Sequence, residues 1–316
     1  MESLTPVSYR RSMRSVLLIA LALAACESTP EADPRSSDAL AADAGPTDAA
    51  PDGPRPDAAR PDAQTPDAAA PEPVLVVDAD FEDRALGDAC GGPDGFDESF
   101  SRSVRDDTHV FRGEHACRLG VPQGRNGFGS FGGIINGKLG RLHAGDEVWI
   151  RLALYVPADF EFNEGRSKFV RLRTFEAAGE ESWGYLDWYL ATRDDRNPHH
   201  WIYEGTQQWR RKGNPAQQVV RDAWETYEVY YHLDDVPVSE GGDARIRLWK
   251  NGELVAEITD QRTLVEPDGF ARGLLIFTYF GNEGSPRDQN LWLDDLQVAI
   301  EEPPLRDAAG NPFLGG

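Results

Sequence analysis

Cysteine is scarce, with three residues in a chain of 316. No C-x-x-C pair occurs, so a structural zinc site, which takes four ligands, has no thiolate framework here. Basic residues are also short: 32 Lys and Arg stand against 54 Asp and Glu, for a formal charge of −22. That balance argues against nucleic acid as a partner, because phosphate binding needs a basic surface. Long apolar runs are missing apart from Val16–Leu23, which is too short for the ~20 residues that a bilayer core needs. No long stretch of 3.6-residue periodicity appears either, which removes helical bundles from consideration.

What is present begins with a secretion pattern. Arg10, Arg11 and Arg14 precede the apolar run, and the segment ends in Leu23-Ala24-Ala25-Cys26. That tetrapeptide resembles the bacterial lipobox. The resemblance implies a signal peptide over 1–25, a lipid on Cys26 and a membrane contact through the acyl chains only. Glu27 follows where inner-membrane retention usually has Asp, which implies a bacterial outer membrane or cell-surface location.

Residues 26–73 are low in complexity. Pro51, Pro56, Pro61, Pro66 and Pro71 recur at a fixed spacing, each followed by an acid, with Ala as the filler. Such a segment buries too little apolar surface to offset its ordering entropy. It is expected to be a disordered tether spanning ~40 Å as a flexible coil. Cys90 and Cys117 remain, and an oxidising compartment makes a disulfide between them the expectation.

Residues 74–302 read as one all-β domain, with 303–316 as a flexible tail. Strand patterns fall at 75–81, 116–121, 147–156, 169–175, 185–191, 201–203, 225–233, 245–249, 254–259, 274–280 and 291–300. Lys250-Asn251-Gly252-Glu253 between two of them is a hairpin turn signal. Many short strands with turn punctuation predict a two-sheet antiparallel jelly-roll sandwich.

Four stretches resemble the concanavalin A-like lectin/glucanase superfamily: Asp78–Asp83 (DADFED), Val110–Leu119 (VFRGEHACRL), Trp224–Val229 with Ile246–Gly252, and Trp292–Val298 (WLDDLQV). Within it, Trp149, Arg151, Tyr155, Pro157, Asp159 and Phe160, followed by Thr278-Tyr279-Phe280-Gly281, are similar to the motifs of secreted alginate- and glucuronan-type lyases. The glutamate–aspartate–glutamate strand of the superfamily's glucanases, E-x-D-x-x-E, is not found.

Alternation assigns the faces. In Glu147–Val156, the residues Val148, Ile150, Leu152, Leu154 and Val156 form a core face, while Trp149, Arg151 and Tyr155 point away. Arg171 and Arg173, then Tyr185, Asp187 and Tyr189, then Glu228, Tyr230 and His232 fall on the non-core side of their strands. Two readings stand open. Either Trp149, Arg151, Tyr155, Tyr185, Asp187, Tyr189 and Tyr230 line a groove that takes polysaccharide, or other segments cover them and they form a second core layer.

β-Elimination of a polyuronate needs a cation to neutralise the carboxylate and a base for the C5 proton. Arg171 and Arg173 are the candidates for the cation, and Tyr203, Tyr189, Tyr230 and His232 for the base or acid; the resemblance to the lyases, which carry a Lys strand and a later Y-x-Y strand, implies Lys168 and again Tyr203. The alternatives are a non-catalytic glycan-binding module and a structural surface domain. The resemblance also implies a structural Ca²⁺ held by Glu82, Asp80, Asp294 and Asp295, with hydrogen bonds to loop amides as the other reading. A monomer is expected.

Overall fold

A computed structural model of the chain describes residues 72–127, 131–162, 166–178, 182–192, 198–203, 209–212, 218–281 and 284–315, with backbone alone at 166, 182–183, 191–192, 198–203 and 209–212. All of these belong to the compact unit Thr65–Gly316. Cys26 and the segment expected to be the tether, up to Pro71, lie outside the described residues.

Among the described residues, sixteen strands, numbered in chain order, form two antiparallel sheets. The first runs β14 (Glu253–Ile258), β13 (Arg245–Lys250), β12 (Trp224–His232), β7 (Glu147–Tyr155), β16 (Gln289–Ala299), β4 (Ala116–Val121), β3 (Ser103–Asp106), with β1 (Leu75–Ala79) also on β16. The second runs β11 (Trp209–Lys212), β10 (Pro198–Tyr203), β9 (Ser182–Thr192), β8 (Arg166–Phe175), β15 (Phe270–Phe280), β5 (Gly133–Ile135), β2 (Glu98–Ser99), with β6 (Leu142–His143) also on β15. The fold is the expected all-β jelly-roll sandwich, and no α-helix occurs among the described residues.

Alternation builds the core. Val148, Ile150, Leu152 and Leu154 of β7, with Tyr227, Val229 and Tyr231 of β12, meet Phe169, Val170 and Leu172 of β8 and Leu186, Trp188 and Leu190 of β9 in one buried cluster. Asn251 and Gly252 adopt φ of 50° and 77°, which closes the β13–β14 hairpin as its sequence predicts. Cys90 and Cys117 form the expected disulfide with Cα atoms 5.8 Å apart, and both are fully buried.

Two expectations are corrected here. The groove residues expected to act together are divided between two sheets. Trp149, Arg151, Tyr155, Tyr230 and His232 belong to the first sheet, whereas Lys168, Arg171, Arg173, Tyr185, Asp187, Tyr189 and Tyr203 belong to the second. Because the inner faces pack on each other, the two outer faces look in opposite directions.

The tail 303–316 is not loose. Phe313 and Leu314 pack with Trp149, Tyr230, Trp249 and Ala299 on the outer face of the first sheet. Trp149 Nε1 donates to Pro312 O at 3.1 Å and Trp249 Nε1 to Asp307 Oδ2 at 2.8 Å. The amide of Leu314 donates to Glu228 Oε1 at 2.7 Å. The tail holds its shape because Asp307 accepts the amides of Ala309 and Asn311 in a tight turn. Trp149 is therefore 0 % exposed and Tyr230 is buried, which makes them a second core layer and not a sugar groove.

Candidate functional site

The outer face of the second sheet gathers the remaining chemistry. A bulge in β8 decides its layout. Lys168 pairs with Tyr189 and Val170 with Trp188, so Phe169 is an extra residue in the ladder. Phe169 and Val170 both enter the core. Lys168 and Arg171 consequently share the outer face, although strict alternation would have sent Lys168 inward with Val170 and Leu172. The neighbouring strand β15 bulges at the same level, where Phe277 has a φ of 48°, and sets Tyr279 opposite Lys168.

Arg171 and Asp187 are opposed in register and paired in a two-pronged fashion, Nε to Oδ1 at 2.6 Å and Nη2 to Oδ2 at 2.5 Å. Asp187 is fully buried, and the pairing is what makes its charge tolerable there. Tyr189 Oη also donates to Asp187 Oδ2, at 2.8 Å. Burial and the adjacent Asp187 carboxylate raise the Tyr189 phenol above the ordinary tyrosine range, so it stays protonated and is a poor base. Beneath the pair, the Arg171 guanidinium stacks 3.7 Å from the centre of the Tyr185 ring.

Lys168 Nζ stands 4.7 Å from the Tyr279 ring centre and 5.7 Å from that of Tyr185. It is 5 % exposed. Burial brings its pKa down to about 8, with Asp187 raising it in part and Arg171 lowering it further. A lysine tuned to this range can change protonation near neutral pH, as general acid–base chemistry requires. Arg173 continues the same face two positions on, opposite Tyr185. Tyr203 sits opposite Asp187 in register, and its side chain lies outside the described residues.

The residues assigned to the first sheet do not join this group. Arg151 is buried and donates from Nη1 to Asp295 Oδ2 at 2.6 Å. Tyr155 is half-buried, with His109 stacked 4.0 Å from its ring centre. His232 lies at the end of β12, paired with Glu147, on the sheet that does not carry Lys168.

The four carboxylates expected to hold calcium are engaged with the protein itself. Glu82 Oε1 accepts the amides of Glu114 and His115 at 2.7 and 2.8 Å. Asp294 Oδ2 accepts those of Phe111 and Arg112 at 2.9 and 3.1 Å. Asp80 Oδ1 accepts the amide of Glu82 at 3.1 Å. Asp295 pairs with Arg151 and with Arg112, the latter at 3.4 Å.

A hard cation needs these same lone pairs, and a guanidinium beside them disfavours it. Among the described residues, no three His, Cys, Asp or Glu stand close enough to hold a metal. The four carboxylates do not gather into a group that fits calcium, and Glu82, Asp294 and Asp295 fasten the 111–115 loop instead. Asp294 shares the parity of Leu296 and Val298 in the sequence, which would send it to the core, but it does not face the core. A bulge at Asp295, with φ of 50°, sets Asp294 opposite Ala153 on the outer side.

Sequence reasoning missed Tyr279 as a member of the site, although it lies in the quoted Thr278–Gly281 motif. It also missed Asn136, Arg141 and Arg272, which border Arg173 around a cavity at the far end of β8. Asn136 and Arg141 flank the short strands β5 and β6, which have too few residues to show alternation, whereas Arg272 lies at the start of the long β15, ahead of the expected strand 274–280.

No protein-family model matches the chain, and no curated protein matches it. Solved structures do. The alginate lyase Aly36B superposes with a TM-score of 0.53 at 15 % identity, covering 71 % of this chain and 96 % of its own. A variant of that enzyme in complex with alginate trisaccharide gives 0.54 at 16 %, covering 74 % and 100 %. At these identities the likeness establishes a shared jelly-roll fold.

Proposed function

We propose that the outer face of the second sheet handles a polyuronate and cleaves it by β-elimination. One observation carries the proposal: Lys168, with its pKa brought to about 8, stands beside an arginine that Asp187 holds in place. A neighbour of the same fold is an alginate lyase with alginate oligosaccharides bound to its variants, which supports a uronate as the substrate class.

The geometry supports the following roles. Arg171 keeps two of its donor nitrogens on Asp187 and offers Nη1 to the uronate carboxylate, so the C5 proton becomes more acidic. Neutral Lys168 takes that proton. The C4–O4 bond breaks as the C4–C5 double bond forms, and the Lys168 ammonium returns the proton to the departing oxygen. No outside reactant is needed. Tyr189 and Asp187 position Arg171. The protein would present this face at the bacterial surface, tethered by a lipid on Cys26.

The test is incubation of the protein with alginate and glucuronan while following the ultraviolet absorbance of the unsaturated product. The expected rate rises as pH passes about 8, and Lys168→Ala lowers it by at least ~10²-fold. A rate that falls over the same interval assigns Lys168 to charge neutralisation and overturns its role as base. Binding without any product makes the face a glycan-binding surface. The anchor is tested separately: Cys26→Ser is expected to abolish incorporation of labelled fatty acid.

A further inference from the structure

Beyond Arg171, the outer face of the second sheet ends in a cavity of about 230 Å³ lined by Asn136, Arg141, Arg173, Phe175, Phe270 and Arg272. Three of the six are arginines, and no acid is among them. Phe175 and Phe270 face each other in register, their rings 5.0 Å apart and tilted by 6°, and wall one side. Arg141 lies 4.5 Å over the Phe270 ring.

Two of the polar atoms that line the cavity are unsatisfied. Arg173 Nε and Asn136 Oδ1 are buried without a hydrogen-bond partner among the described residues. Neither Arg173 nor Arg272 has a carboxylate partner among the described residues, and burial, then Arg171, then Arg272 hold the Arg173 guanidinium below its ordinary pKa. Gly273, at φ of 83°, lets the wall close: a Cβ there would lie 2.6 Å from Asn136 Oδ1 and 2.9 Å from Arg173 Nη2. A chain with so large an excess of acid that still concentrates three arginines in one hollow has made a local anion trap.

We propose that this cavity binds an oxyanion, a carboxylate or a sulfate ester, on the sugar unit adjacent to the one held at Lys168 and Arg171. The placement rests on the function proposed above, since Arg171, Arg173 and Phe175 follow one another along one strand face. The planar guanidinium forks suit either oxyanion, and the phenyl rings suit the C–H face of a sugar ring. The protein would therefore need two consecutive anionic units and would ignore chains whose charges are isolated.

The experiment is titration calorimetry of the full-length protein with a tetrauronate and with a sulfated neutral tetrasaccharide, comparing wild type, Arg272→Ala, Arg141→Ala and the double variant. Both arginines are exposed, so the variants should fold. Each single change is expected to weaken the preferred probe about tenfold, and more at low salt. Unchanged affinity of the double variant for both probes overturns the inference, and the polyuronate reading survives if Lys168→Ala still abolishes product. If wild type neither binds nor cleaves uronates yet binds the sulfated probe, and the double variant loses it, the cavity stands and the polyuronate reading falls.

Discussion

Lys168 and Arg171 share one face of β8 although three positions separate them, because the bulge sends both Phe169 and Val170 into the core. Burial brings the lysine pKa down to about 8; Asp187 offsets part of that fall, and the nearby Arg171 adds to it. In a carbon-13 titration of labelled lysine, one resonance is therefore expected to move near pH 8, and it should vanish in Lys168→Ala. The sign for stability follows. A lysine whose folded pKa lies below 10.5 gives up its proton earlier when folded, so its penalty is relieved as pH rises from about 8 towards 10.5. Titration only near 10.5 would contradict the described environment.

The Arg171–Asp187 pair is a second point of vulnerability. Asp187→Ala leaves a guanidinium in a mostly buried place without its counter-charge. Removing one partner of such a pair costs about 3–5 kcal/mol. Chemical denaturation should show that loss. Replacing both residues with apolar groups, Arg171→Met with Asp187→Leu, is expected to recover most of it without restoring product formation. Equal instability in the single and double variants would mean that the pair does more than balance charge.

Much of the architecture was legible. The eleven strands expected from period-two alternation are present, because long strands buried on one face must alternate. The short strands β2, β3, β5, β6 and β11 were not, since two to four residues carry too little pattern. The site was only half legible. Arg171, Asp187 and Tyr189 follow simple parity, but Lys168 depends on a bulge that nothing in its sequence announces. Strand order was the larger gap. Trp149 and Tyr185 both point away from the core, and alternation says nothing about which of two sheets each occupies. The segment after Glu301 looked loose because its apolar residues, Leu305, Phe313 and Leu314, are sparse. Phe313 and Leu314 are enough when Trp149 and Trp249 wait for them, while Leu305 stays exposed.

That docked tail is tested by Leu314→Ala. Leu314 is nearly buried, and deleting such a side chain costs at least ~2 kcal/mol. Tryptophan emission should shift to the red as water reaches Trp149 and Trp249. Product formation should not change at temperatures where the variant is folded, because the tail covers the opposite face of the sandwich. A loss of activity in step with the emission shift would couple the two faces.

Glu228 gives the tail a pH dependence. Burial brings its carboxyl to about 8, against the amides of Leu314 and Gly315 and the charge of Arg151, which act in the other direction. A carboxyl with a raised folded pKa holds its proton longer when folded. Its contribution to stability is complete below pH 4.5 and is lost as pH climbs to about 8. Glu228→Gln keeps an oxygen for the amides but cannot ionise. The melting temperature of this variant is expected to vary less between pH 5 and about 8 than that of wild type. An unaltered profile would show that Glu228 is already charged throughout.

The 111–115 loop separates a metal-free staple from a calcium site. Asp294 and Glu82 each accept two loop amides, and those donors have no other partner in the loop. Asp294→Ala strands two of them, at about 1–3 kcal/mol per buried group left unpaired. Chelation should leave the melting temperature of the wild type where it is, because these carboxylates do not gather into a metal-holding group. Added calcium should also leave it unchanged. A rise of several degrees with calcium, lost in Asp294→Ala, would mean that the loop releases these amides to make room for the ion.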